Sequence, residues 1–320
     1  MRHFIFSLLC ITTCWAVQNE WESVGPIWNF GIISTCNKGE PRFDKAAYAQ
    51  IESGDIVWVK AEFIPQFYQE VFPNIGVPFV IVISDGDDSF PSDCTLNCEE
   101  IEQFLSSPTV IHIFAQNCDY QGKSDKISHL PIGMDFHTIA NGGWGEKGSA
   151  RDQEALLQEI LSRLKPTYLR KKRAFVDFQL SDTMHGGFKR YLQFGEDRAS
   201  IFQHLLPTNL IDHGPWMRRS SLWRTKGRYA FSISPHGNGL DCHRTWEDLV
   251  LGCIVIVKTS PLDPLYEGLP VVIVQNWDEI TAENMDKWLD LYGDAFTNPS
   301  YREKLTNAYW LSKIQEKRNL

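Results

Sequence analysis

Past its first seventeen residues, the 320-residue chain has no apolar run long enough to cross a bilayer, so no spanning helix is expected there. It has no long basic face, and its formal net charge is -9. That balance argues against nucleic acid as a partner, because phosphate backbones are bound chiefly by Lys and Arg. The run Leu169-Arg170-Lys171-Lys172-Arg173 is a local exception, read as a solvated lead into a strand. No second Cys/His pair stands at ligand spacing, which argues against a zinc site. Internal repeats and low-complexity tracts are absent too. What is left is a globular chain long enough for two packed domains.

The N-terminus reads as a targeting segment. Arg2 and His3 make a short basic start, a mostly apolar stretch runs from Phe4 to Val17, and Cys14-Trp15-Ala16 places small residues at a cleavage site. Residues 1–16 are therefore expected to be a cleaved signal peptide, with an uncleaved anchor as the rival and the secretory lumen as the destination. Six cysteines remain after that cut. An even number in an exported chain permits disulfides, with Cys94 and Cys98 one possible pair and Cys36 or Cys118 alternative partners. Cys253, at the head of an apolar strand, reads as a buried free thiol. Eleven tryptophans are unusual; most belong to the core, while Trp216 and Trp223, flanking Arg218 and Arg219, could form a sugar platform or pack over a sheet.

Apolar runs alternate with helical patterns, the signature of an α/β protein with parallel strands. Strands are expected at residues 55–60, 77–84 and 109–115 in the first half. In the second half they are expected at 173–178, 229–234, 253–257 and 270–274. Asn97 followed by Glu100 makes a capping box for a helix. Leu156, Leu157, Ile160, Leu161 and Leu164 share one face of another helix, which Pro166 ends. Further helices are expected over 188–202, after Gly239, over 281–291 and over 299–314. The boundary between a first domain (17–165) and a second (166–320) is placed there, with a cleft between two facing Rossmann-like domains.

The most informative stretch is Phe231 to Val257, "FSISPHGNGLDCHRTWEDLVLGCIVIV". A strand ends, and Pro235-His236-Gly237-Asn238-Gly239 follows at the position where open α/β sheets bind ligands. Gly237 and Gly239 would let backbone approach a ligand and take positive φ. A helix starting near Asp241 would offer unpaired N–H groups to phosphate. His243 and Arg244 in its first turn oppose the helix dipole unless an anion sits between them. Glu247 lies one turn deeper and could accept sugar hydroxyls. Loop, cation and carboxylate together suit a nucleoside diphosphate, although the same residues could form a strand–turn–helix in which Arg244 and Glu247 merely pair.

Residues 228–280 resemble the donor-binding region of exostosin-like glycosyltransferases: Pro235, Gly237, Arg244, Glu247, Gly252 and Cys253 match its Pro-x-Gly turn, Arg-x-x-Glu helix and Gly-Cys strand. The resemblance implies a GT-B architecture and an inverting, metal-independent transferase. The donor would be a UDP- or GDP-linked sugar, with no other cofactor, and the acceptor a glycan or glycoprotein hydroxyl. Arg244 would stabilise the leaving diphosphate, Glu247 would hold the ribose, and Ser260 to Tyr266 would line the donor cleft. Lys258, at a strand end, is a further phosphate contact or a solvated residue. The stretch Leu130 to His137 resembles the inter-domain segment of related GT-B-like proteins. Asp85, Asp87, Asp135 and His137 are the candidates for the base that activates the acceptor. His185 lies in a loop that could face the cleft.

Two rivals come from other classes. Ser84-Asp85-Gly86-Asp87-Asp88 follows an apolar strand and resembles the Asp-x-Asp metal motif of GT-A transferases, where carboxylates hold a divalent cation against the diphosphate. An acidic turn accounts for the same residues. The other rival is a secreted, inactive carbohydrate-binding or interaction module on a GT-B scaffold.

Overall fold

A computed structural model describes residues 25–180 and 198–318; the expected signal peptide and His185 lie outside them. Two all-parallel sheets organise the chain. The first has the order β1-β2-β3-β4, with β1 Ile56–Lys60, β2 Phe79–Ser84, β3 Val110–Ala115 and β4 Ile127–His129. The second has the order β6-β5-β7-β8-β9, from β5 Lys171–Val176, β6 Ile211–His213, β7 Tyr229–Ile233, β8 Ile254–Lys258 and β9 Val271–Val274. The α/β class with two Rossmann-like units is thus present.

The central strands are continuous apolar runs because both faces are covered. Val57, Val59, Ile81 and Ile83 pack with Phe67 and Phe104 on one side of the first sheet, and Ile56, Trp58, Val80 and Val82 join a core on the other side. That second core continues into Trp223, Trp246, Leu249 and Val255, so the two sheets share apolar packing.

Five helices matter for the site or for the packing of the two units. Helix α1 (Cys98–Ser106) starts at the expected Asn97–Glu100 capping box, and α2 (Ala150–Leu161) at a second box between Ser149 and Asp152. Helix α3 (Arg219–Lys226) has little apolar periodicity and was not anticipated. Helix α4 is His243–Val250. The helical stretch expected over 299–314 breaks in two, and its second part, α5 (Asn307–Arg318), returns to pack on β2 and β3 of the first sheet. The helix expected over 188–202 is described only from Arg198, as Arg198–Leu205.

Two local expectations are corrected. The six described cysteines are all free, so Cys94 and Cys98 do not pair. Cys94 is buried while Cys98 is exposed on α1. Cys253 is the buried thiol anticipated, and burial pushes it up to about 12. The basic lead into β5 is only partly solvated: Arg170 is buried and donates to the carbonyls of Lys165 and Leu251 at 2.8 Å each.

Candidate functional site

In the second sheet β5 is flanked by β6 on one side and β7 on the other, so the strand order reverses there. Ligands of open α/β sheets bind beyond the carboxyl ends of the strands at such a switch point. Asp177 and Phe178 follow β5, and Ser234 and the Pro235–Gly239 turn follow β7. A cavity of about 610 Å³ opens at this place, within the size range of small-molecule sites. Its wall includes Gly237, Asn238, Gly239, His243, Arg244 and Glu247 from the second unit, and Asp87, Asp135 and Trp144 from the first.

The turn is built differently from the sequence expectation. Neither Gly237 nor Gly239 has a positive φ. Their smallness is needed for contact: a Cβ on Gly239 would meet the Asn117 side chain at 2.9 Å, and one on Gly237 would meet Arg198 at 3.0 Å. The His236 ring closes the turn through Nδ1 on the Leu240 carbonyl at 2.9 Å. Helix α4 begins at His243, with Cys242 as N-cap, rather than at Asp241. The Asp241 carboxylate turns inward, accepting the Ile132 N–H at 2.8 Å and the Trp246 indole N–H at 2.8 Å. Asn117 Oδ1 accepts the Asp241 N–H at 2.8 Å. Asp241 therefore fastens the turn to the first unit, and burial raises its carboxyl to about 6.

Arg244 and Glu247 do not pair with each other. Arg244 Nε lies 3.0 Å from Asp177 Oδ1, and its guanidinium stacks 5.6 Å from the Phe178 ring. Asp177 therefore supplies the counter-charge to Arg244 that the sequence assigned to a bound anion. Asp177 also meets Lys226 Nζ at 2.8 Å, and Lys226 meets Asp248 at 2.7 Å. This buried chain of two cations and two carboxylates is balanced and holds Arg244 by its back edge. The Asp177 carboxyl is lowered, with the cations Lys226 and Arg244 overcoming its burial.

Glu247 belongs to a second cluster. Arg219, at the start of α3, donates Nη1 to Glu247 Oε1 at 2.7 Å and brings Nη2 to 3.2 Å from Asp135 Oδ2. The Trp223 indole donates to Glu247 Oε2 at 3.2 Å. The Arg219 guanidinium is buried between the rings of Trp144, 4.8 Å away, and Trp223, 5.3 Å away. Trp223 is fully buried over the second sheet, whereas Trp216 is exposed at the cavity wall. Trp144 sits in the glycine-rich loop with φ +59°, a conformation a bulky residue rarely adopts without surrounding constraint.

The first unit supplies the remaining candidates. Asp135 Oδ1 accepts the Thr138 N–H at 2.9 Å and lies 3.1 Å from His137 Nδ1. His243, His137 and Arg219 outweigh burial and bring the Asp135 carboxyl down to about 2, which makes it a poor base. Burial lowers His137 despite the adjacent Asp135. The ring of His137 lies 5.3 Å from that of His243, whose Nδ1 is 2.7 Å from the Gly133 carbonyl. Asp135, His137 and His243 are the described group whose spacing could hold a metal ion. Asp87 lines the cavity, but Asp85 points away to Lys60 Nζ at 3.5 Å, so the two acids are not brought together on it. Lys258 does not line the cavity. The segment Ser260 to Tyr266, expected along the cleft, does not line it either: its Pro261 carbonyl meets the His129 ring at 2.9 Å.

The sequence reading missed Arg219 as the residue that joins Asp135 to Glu247, and Asp177 as the partner of Arg244. Asp177 at a strand end was a detectable signal; Arg219 lies in a helix with no apolar face to announce it.

The fold and the site together define a two-sheet α/β protein with a polar, charged ligand cavity at a switch point. No family model matches the chain, and no curated protein does. Among solved structures, it is similar to sucrose-phosphate synthase from Thermosynechococcus elongatus, at 11% identity and a TM-score of 0.43, over 86% of this chain and 75% of that one. It is similar to pneumococcal O-GlcNAc transferase GtfA, solved with UDP and GlcNAc, at 13% identity and 0.39, over 85% and 59%. It is also similar to a GtfA/B complex, at 11% identity and 0.38, over 85% of this chain and 59% of that chain's length. With TM-scores below 0.5, nothing about substrate or mechanism passes from these proteins to this chain.

Proposed function

We propose that the protein is a glycosyltransferase that moves a sugar from a nucleotide-sugar donor to a glycan or glycoprotein hydroxyl. The observation that carries this reading is the cavity itself: Gly237, Asn238 and Gly239 of the turn, His243, Arg244 and Glu247 converge at the carboxyl ends of β5 and β7, whereas Pro235 and His236 do not line it. The Thr245 N–H is taken by the Cys242 carbonyl at 3.0 Å, while the N–H groups of His243 and Arg244, at the first two positions of α4, suit phosphate oxygens. Arg244, held by Asp177, faces the same space. Glu247 keeps lone pairs beyond those taken by Arg219 and Trp223, so a ribose hydroxyl can donate to it.

In the transfer, the acceptor oxygen bonds to the anomeric carbon as the bond from that carbon to the phosphate oxygen breaks. The electron pair leaves on the diphosphate, where Arg244 stabilises the growing charge. The acceptor proton passes to a carboxylate of the first unit, and Asp87 is assigned that role because it lines the cavity from that side. A base on the side opposite the leaving group gives inversion. The exostosin-like affiliation rests on the match of Pro235, Gly237, Arg244, Glu247, Gly252 and Cys253 to that motif. Export into a lumen supplied with nucleotide sugars accords with the first sixteen residues.

The test is incubation of the mature chain with UDP- and GDP-linked sugars, with and without oligosaccharide acceptors, following release of nucleoside diphosphate. Release stimulated by an acceptor supports a transferase. Tight nucleotide binding with no release from any donor would instead favour the inactive binding module.

A further inference from the structure

The charge in the cavity wall poses a problem for a diphosphate ligand. Among the described residues, Asp87, Asp135, Asp177 and Glu247 share the wall with three guanidinium groups, those of Arg198, Arg219 and Arg244, while the Asp241 carboxylate turns inward. Arg244 is already matched by Asp177, and Arg219 is shared by Asp135 and Glu247. A diphosphate brings further negative charge into a wall whose carboxylates outnumber its guanidiniums. Additional positive charge close to the phosphates would offset it.

The structure places the means of holding such a charge at the same wall. Asp135 and His243 line the cavity and His137 stands beside Asp135; each of the three offers one ligand-type atom, and all three atoms lie within 4.8 Å of one another. His243 comes from the first turn of α4, beside Arg244; Asp135 and His137 come from the segment joining the two sheets. The Gly133 carbonyl accepts the N–H of His243 Nδ1 at 2.7 Å, which leaves Nε2 with its lone pair. A backbone carbonyl on the far nitrogen is how metal-ligating imidazoles are usually oriented. His137 Nδ1 is buried and makes no hydrogen bond: it sits 3.1 Å from Asp135 Oδ1 but off the hydrogen-bonding direction. Arg219 and Thr138 fix the Asp135 carboxylate from outside.

We propose that Asp135, His137 and His243 bind a first-row divalent cation that bridges the two units and meets the diphosphate of the donor. The chemical class follows from the ligands. Two imidazoles and one carboxylate suit zinc or manganese better than magnesium or calcium, and leave positions open for phosphate oxygens or water. Bonds of about 2.1 Å put tetrahedral ligands roughly 3.4 Å apart. Asp135 Oδ1 and His137 Nδ1, 3.1 Å apart, already stand near that separation, so metal entry chiefly draws His243 of α4 toward the segment Gly133 to His137. This inference deepens the transferase reading, because it names the charge that admits the donor, and it replaces the metal independence implied by the motif resemblance.

The experiment is calorimetric titration of the whole mature chain, stripped with chelator, first with Zn²⁺ or Mn²⁺ alone and then with UDP and GDP in the presence and absence of metal. Wild-type protein is expected to bind one ion, and His137→Ala and His243→Ala each to weaken that binding at least tenfold. His204→Ala, distant from the cluster, should bind as wild type does. Circular dichroism and thermal melts of the stripped variants show whether they remain folded, and Asp135→Asn is the substitute if either histidine variant does not. Absence of wild-type binding for both ions at millimolar concentration overturns the proposal, as does binding unchanged in both histidine variants. Metal binding with no nucleotide binding upholds the metal site and defeats the donor reading. Nucleotide binding equal with metal and with chelator upholds the donor reading and defeats this one.

Discussion

Arg219→Ala removes the guanidinium on which both halves of the site lean. Arg219 is almost fully buried, and it spans Asp135 Oδ2 at 3.2 Å and Glu247 Oε1 at 2.7 Å. Both carboxylates are themselves nearly buried, with side-chain exposures of 8% each. Truncation leaves Asp135 with only the neighbouring imidazoles and the Thr138 N–H, and Glu247 with only the Trp223 N–H and more distant charges. Breaking a buried pair by removing one partner costs about 3–5 kcal/mol, because the remaining charge stays desolvated. The stacking of Arg219 between Trp144 and Trp223 adds on the order of 1 kcal/mol. Against a typical stability of about 5–15 kcal/mol this is a large share, and for a chain of this size it lowers Tm by roughly 10 °C. Urea and thermal melts of wild type, Arg219→Ala and Arg219→Lys provide the assay. Lysine cannot reproduce the planar fork that reaches two carboxylates, so Arg219→Lys recovers only part of the loss. A loss below about 1 kcal/mol in Arg219→Ala would refute the claim that this residue joins the two carboxylates.

Further expectations follow from other parts of the structure. If diphosphate leaves against Arg244, Arg244→Ala lowers turnover by about a hundredfold or more with a smaller effect on donor KM, whereas Glu247→Gln chiefly raises that KM; equal effects of both changes on KM alone would contradict the assigned roles. In the native protein Cys98 reacts first with an alkylating reagent at pH 8, while Cys253, pushed to about 12 by burial, and Cys118, pushed to about 11, stay protected until denaturant is added. Mass spectrometry of labelled peptides reads this, and early labelling of Cys253 would count against its burial. His112 is held down to about 4, first by burial and then by the charge of Lys317, and its ring lies 2.8 Å from the Ser128 hydroxyl. A depressed histidine means that the unfolded chain takes up the proton first. Its contribution is therefore intact above the ordinary value of 6.5 and is lost as pH falls from there toward 4, by about 2 kcal/mol after allowance for solvent screening. His112→Gln should flatten that slope in urea melts between pH 7 and 4.5, and an unchanged slope would remove His112 as its cause.

The strands were legible because buried parallel strands are unbroken apolar runs: β2, β3, β7, β8 and β9 fall within a residue or two of their expected positions. The edge strands β4 and β6 are three residues each, with one polar neighbour after another, and leave no run to detect. The break between Lys304 and Asn307 was hidden because both flanking segments are helical and neither proline nor glycine separates them. At the site, the local spacing of the turn, Arg244 and Glu247 was readable, since all lie within one strand–turn–helix. Their partners were not. Asp177 comes from another strand and Arg219 from another helix, and an ion pair across 67 residues or 28 residues leaves no local pattern. Gly239 shows the same limit: its role was read as backbone freedom, and it is the space demanded by Asn117 of the other unit.

The central claim is that a nucleoside diphosphate occupies the cavity at the carboxyl ends of β5 and β7, against Arg244. Isothermal titration of UDP and GDP into the purified chain, with zinc or manganese present, tests it most directly when run beside Arg244→Ala. One nucleotide should bind per chain with a dissociation constant below a millimolar, and Arg244→Ala should weaken that binding. No binding of either nucleotide, or binding that Arg244→Ala leaves unchanged, would contradict it.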